Sequence, residues 1–106
     1  MPKYLYQASY NATGTKGLLK EGGSGRRAAV EKIAQSMGGS LDGFYFAFGD
    51  TDAYVIVDVP DHATAVAVSL AVNASGAVTV RTIPLLTPEE VDAAAKKSVG
   101  YRPPGA

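Results

Sequence analysis

The chain has 106 residues, with ten Lys plus Arg against ten Asp plus Glu and a formal net charge of zero. That is one domain's worth of sequence, and its neutral balance carries no electrostatic footprint for nucleic acid or an anionic membrane. Cysteine is absent and His62 is the single histidine, which removes disulfides, thiol nucleophiles and any multi-histidine metal centre within one chain, so no metal and no cofactor is expected.

Apolar residues make up 46% and charged residues 19% of the chain, a globular rather than a disordered balance. Met1-Pro2-Lys3-Tyr4 opens without an apolar run, so no targeting segment is read there. The longest apolar stretch, Ala63 to Val72, is interrupted by Thr64 and Ser69 and is too short to span a bilayer. The default expectation is the cytoplasm of a bacterium-like cell.

Lys3 to Tyr10 is Tyr-rich and alternating, and reads as a first strand. Asn11 to Lys20 reads as a loop leading into a short, poorly capped helical turn, and Glu21 to Gly25 as a break. Val30, Ile33, Ala34 and Met37 then recur at helical spacing, with Ser24 as N-cap and Gly38-Gly39 as the stop. Leu41 to Phe48 and Ala53 to Val59 read as two strands of a hairpin about the turn Gly49 to Asp52. Pro60 ends the second of them. Asp61 caps a helix over His62 to Asn73, which Asn73 to Gly76 closes. Ala77 to Leu85 is a fourth strand, whose Pro84 belongs near an edge. Thr87, Pro88, Glu89 and Glu90 start a last helix running to about Ser98, and Tyr101 to Ala106 is a tail.

The order is β-α-β-β-α-β plus a terminal helix, the split βαβ pattern of a ferredoxin-like α+β fold with a four-stranded antiparallel sheet. It predicts one domain over residues 1–98 and a tail over 99–106. Such a sheet carries its helices on one face. Here both faces of the hairpin read apolar: Phe44, Phe46 and Phe48 against Leu41, Tyr45 and Ala47, then Tyr54 and Ile56 against Val55, Val57 and Val59. An apolar second face predicts a homodimer, or a higher homo-oligomer, packed sheet to sheet. The alternative is that the terminal helix folds over the open face of its own chain.

Gly38-Gly39-x-Leu41-x-Gly43-Phe44-Tyr45, Gly49 and Asp52 in the turn, Val55 to Val57, Pro60-Asp61 and Thr87 to Glu90 together resemble the GYD-domain family. The resemblance covers roughly residues 3 to 97 and implies a ferredoxin-like fold of the dimeric α/β-barrel type. The tyrosine of the family's name-giving triplet falls at Thr51. The family implies no defined biochemical role. Related barrels include cofactor-free oxygenases, isomerases and effector-binding modules, which is analogy at the level of fold.

Several constellations admit a chemical and a plainer reading. Asp50 and Asp52 are two carboxylates at a hairpin end, able to share a proton or hold a hard cation, and equally ordinary turn residues. His62 is a candidate general base, or an exposed first-turn residue. Ser24, Arg26 and Arg27 follow a Gly-rich break before a helix, which suits an anion site or a flexible joint with solvated arginines. Arg81 and Asp58 put charge inside strands, and with Tyr6, Gln7, Tyr45 and Tyr54 they are candidate ligand contacts, or hydrogen-bonded core tyrosines beside an edge arginine. The run Gly43 to Phe48 is not an RNA-binding strand: Asp42 stands where a basic residue belongs, and the aromatics alternate strictly in the wrong strand.

Three functions follow. The first is a non-enzymatic homo-oligomer binding a small molecule or a partner. The second is a cofactor-independent isomerase or oxygenase using Asp50, Asp52, Asp58 or His62. The third is a structural or assembly role. The space between sheet and helices separates them: an apolar pocket favours the first, a buried carboxylate in that pocket the second, and a filled core the third.

Overall fold

A computed structural model describes residues 1–106. In chain order the elements are β1 (Lys3–Tyr10), α1 (Ala12–Glu21), α2 (Gly23–Ser36), β2 (Ser40–Phe46), β3 (Ala53–Asp58), α3 (His62–Ala74), β4 (Val78–Leu85) and α4 (Pro88–Ala95). The four strands form one antiparallel sheet in the order β2-β3-β1-β4, which is the expected α+β topology. No helix is long and apolar enough to cross a membrane.

Alternation along the two central strands decides which face is inside. Tyr4, Tyr6 and Ala8 of β1 and Ala53, Val55 and Val57 of β3 are buried, and with Ala34 of α2 and Ala65 of α3 they form the core. Lys3, Leu5, Gln7 and Ser9 alternate with Tyr54, Ile56 and Asp58 on the opposite, open face. Of the ten buried residues, four are alanine, which keeps this core thin.

The local readings differ from the structure at five places. Asn11 to Lys20 is not a loop leading into a short, poorly capped turn but the cap and most of α1. The Asn11 side chain caps it by accepting from the Gly14 amide at 3.0 Å. Gly14 is there for close approach rather than as a breaker, since a Cβ at this position would stand 2.3 Å from the Ala77 carbonyl oxygen. Second, Ser24 is not the N-cap of α2. The break falls at Gly22, whose φ of 82° only glycine adopts easily, and α2 begins at the next residue. Third, β2 stops at Phe46, and Phe48 stacks outside it on the Phe46 ring at 6.0 Å. Fourth, Leu41 shares the helix-side face with Phe44. A register shift between Leu41 and Gly43 inserts Asp42 as an extra residue, which reverses the alternation read from the sequence. Last, α4 ends at Ala95 rather than near Ser98.

Other joints follow the expected chemistry. Gly38 and Gly39 close α2 in a Schellman motif, the Gly39 amide donating to Ala34 at 2.9 Å and the Gly38 amide to Gln35 at 3.1 Å. Asp61 caps α3 by accepting from the Thr64 amide at 2.8 Å and its hydroxyl at 2.7 Å. Those bonds hold its carboxyl below the usual range. At the other end of α3, Asn73 Oδ1 accepts from the Val80 amide at 2.7 Å while its Nδ2 donates to the Val80 carbonyl at 3.3 Å. The side chain thereby serves as a partner for the exposed edge of β4.

α4 stands apart. Thr87 and Glu90 close a capping box at its start, yet every residue from Leu86 onward is exposed. The molecule extends 55 × 34 × 23 Å, with a radius of gyration of 16.8 Å where a compact chain of this length has about 13 Å. The terminal helix therefore does not cover the open sheet face of its own chain.

Candidate functional site

The helix-side layer is not closed. α2 packs on β2 and α3 on β4, and an apolar cleft of about 580 Å³ separates the two helices. Ile33 and Met37 of α2 and Val68, Ala71 and Val72 of α3 line it, and α1 supplies a third wall with Thr13, Gly14, Gly17, Leu18 and Glu21. A narrow void of about 60 Å³ continues beneath it to the sheet, between Tyr6, Phe44, Val55 and Val80. Tyr10, Arg26, Ile33, Val68, Val72 and Val78 line both spaces. Ala67 and Ala71 of α3 present only methyl groups to the cleft and fill little of the gap.

Arg26 is the one member of the expected anion group that reaches this cleft. It lies four residues before Val30, and Ile33 and Met37 follow at helical spacing, so it stands on the apolar stripe of α2. Ser24 and Arg27 fall on its exposed surface, outside the cleft wall. The sequence signal for the placement of Arg26 is this stripe, extended one turn towards the N-terminus.

The remaining ligand-contact candidates, Tyr6 excepted, assemble on the open face. Cross-strand register puts Tyr45 opposite Tyr54, Tyr54 opposite Gln7, and Gln7 opposite Arg81, one row across all four strands. Beside it runs an apolar row of Gly43, Ile56, Leu5 and Ile83. Beyond that, Lys3 Nζ binds Asp42 at 2.9 Å and Asp58 at 3.0 Å, and these two carboxylates, Asp42 first, hold the ammonium pKa above its usual value. Asp58 is therefore an ion-pair partner. The open face is mixed in character rather than uniformly apolar.

Tyr6 belongs to the other face. Its hydroxyl donates to the Ala65 carbonyl at 2.7 Å inside the core, and burial, with the neighbouring Tyr4 phenol, pushes its pKa up to about 12. Asp50 and Asp52 diverge. Asp50 is exposed, and its carbonyl accepts from Ser9 Oγ at 3.2 Å, whereas the Asp52 carboxylate accepts from the Tyr10 amide at 2.8 Å. Asp52 thus ties the hairpin end to β1. His62 contributes a contact the sequence did not signal: its Nδ1 shares a hydrogen bond with the hydroxyl of buried Tyr4, the rings meeting edge to face at 5.6 Å. None of Asp50, Asp52, Asp58 and His62 lines the cleft.

No curated protein and no solved structure matches the chain at a significant level. A family model does match, that of the GYD domain, over residues 4–95. The Gly-Gly step at Gly38-Gly39, the turn at Gly49 to Asp52 and the Pro60-Asp61 cap thus lie within the match and take up the structural roles just described. The chain belongs to the GYD-domain family.

Proposed function

We propose that this GYD-domain protein is a homo-oligomeric binding module that takes a small, largely apolar molecule into the cleft between α2 and α3. The observation that carries this reading is the cleft itself: about 580 Å³ walled by Leu18, Ile33, Met37, Val68 and Val72, within the size range of small-molecule sites. Apolar walls left in water gain roughly 25 cal/mol for each Å² that a ligand covers. An acid–base reaction would need a carboxylate or imidazole at the bound molecule; the four candidates all stand elsewhere, and the one carboxylate in the wall, Glu21, is an exposed residue.

Two features support the homo-oligomer. The open face carries Leu5, Ile56 and Ile83 in a row with no cover from its own chain. α4, at eight residues, is too short to be stable alone in water, and Leu86, Val91, Val99 and Tyr101 expose apolar side chains around it. A second copy packed on the open face would bury that row, and α4, standing apart from its own chain, is free to pack on a partner.

Titration with a neutral apolar probe, 1-decanol, followed by amide chemical shifts, tests the cleft. Shifts centred on Ile33, Val68 and Val72, abolished by Val68→Phe, are expected. Shifts confined to the open face, or none at all, would refute the reading.

A further inference from the structure

We propose that the cleft selects an amphipathic monocarboxylate, with its apolar body between α2 and α3 and its carboxylate on the Arg26 guanidinium. The inference rests on the reading of the cleft as a binding site and adds the chemical class of the occupant. Arg26 is the only cationic residue lining either the cleft or the void beneath it. It is half-buried rather than free in solvent. The ion pairs of the chain all belong to Lys3, on the opposite face of the sheet, so Arg26 has no carboxylate of its own. A guanidinium beside apolar walls offers a planar fork of donors that a carboxylate matches with two parallel hydrogen bonds.

Glu21 is the one acidic residue in the wall, and it fixes the charge of the ligand. It makes no ion pair with Arg26. Its side chain lies over Gly25, where an added Cβ would come 3.0 Å from Glu21 Cγ. One cation and one anion leave the lining neutral. A monoanion seated on Arg26 brings the local charge to about −1, whereas a phosphate dianion would bring it to about −2 beside Glu21. Arg27, which would have balanced a dianion, lies outside the wall.

Calorimetric titration of the intact protein with decanoate, 1-decanol and decyl phosphate tests this. The wild type is expected to bind decanoate at least tenfold tighter than 1-decanol, and decyl phosphate no tighter than decanoate. In Arg26→Gln the decanoate-to-decanol ratio is expected to fall to within twofold of one. The ratio, taken on one protein, cancels any general loosening of the cleft. Equal affinity of the wild type for decanoate and 1-decanol, both blocked by Val68→Phe, would overturn the carboxylate class and leave the cleft standing. Tenfold tighter decyl phosphate would overturn the single-charge argument. Absence of binding by all three would overturn the cleft reading together with this one.

Discussion

Tyr6→Phe removes one oxygen from the core and makes the stability of the protein report on how that oxygen is held. In the wild type the hydroxyl donates to the Ala65 carbonyl at 2.7 Å and joins the central strand β1 to α3. Its loss is expected to cost about 1 kcal/mol at pH 7, the net worth of a neutral buried hydrogen bond. The pH dependence is the sharper test. The Tyr6 pKa is pushed up to about 12 by burial in the folded protein and lies near 10 in the unfolded chain. Because the folded value is the higher one, the stabilisation is complete below pH 10 and is lost as pH rises towards 12. Within that window the unfolded phenol releases its proton and the folded one keeps it. The slope is at most about 1.4 kcal/mol per pH unit, and because solvent screens a phenol that is only partly enclosed, the whole window is worth about 1 kcal/mol. The mutant lacks this loss. Urea unfolding followed by far-ultraviolet circular dichroism from pH 7 to 11.5 should show the wild type more stable at neutral pH and the two curves converging above pH 10. The other tyrosines are common to both proteins and drop out of the difference. A wild-type-minus-mutant difference that stays constant across the range would refute the buried, proton-retaining phenol.

Gly39→Ala is expected to destabilise the fold by about 3 kcal/mol, roughly 15 °C in Tm by calorimetry, because the new Cβ would stand 2.0 Å from the Asp58 carbonyl oxygen with only backbone to yield. Ile56→Glu places a charge in the apolar row of the open face. Native mass spectrometry should find this variant as a monomer and the wild type as a dimer, with little change in the unfolding of the protomer. Thr87→Ala breaks the capping box of α4 at a local cost of about 1 kcal/mol. Hydrogen exchange should speed up at Val91 to Ala95 and stay unchanged at Tyr6 and Val55, since α4 makes no substantial contact with the core.

The fold was readable because strands and caps each carry their own signal. β1 and β3 alternate cleanly, and Asp61, Thr87 and Gly38-Gly39 stop or start their helices as their side chains and φ angles dictate. What the sequence hid depends on contacts between distant segments. Gly14 looks like a loop residue until Ala77 is seen to occupy the space a side chain would take. Asp42 looks like an ordinary strand residue, and only pairing with β3 reveals that it is the bulge that turns Leu41 inward. The candidate ligand residues were half legible for the same reason. Tyr45, Tyr54, Gln7 and Arg81 lie on one row because three separate strand registers agree, whereas Tyr6 alternates to the other face within its own strand. The Tyr4–His62 pair spans nearly sixty positions and leaves no local trace.

The cleft itself poses a choice between a packing defect and a site, and energetics separates the two. Val68 is half-buried on α3 and borders both the cleft and the void beneath it, so Val68→Phe grows into this space. In a core already filled, that enlargement would cost about 1–3 kcal/mol in strained rotamers and shifted backbone. In an open cleft the ring covers Ile33 and Val72 and costs nothing, or stabilises by about 1 kcal/mol through newly buried apolar area. The structure therefore predicts a Tm that is unchanged or raised, together with the loss of 1-decanol binding. A change that stabilises the protein and removes binding marks space kept empty for function, because a mere defect would be filled without consequence. A marked fall in Tm would instead mean that the helices close on each other in solution.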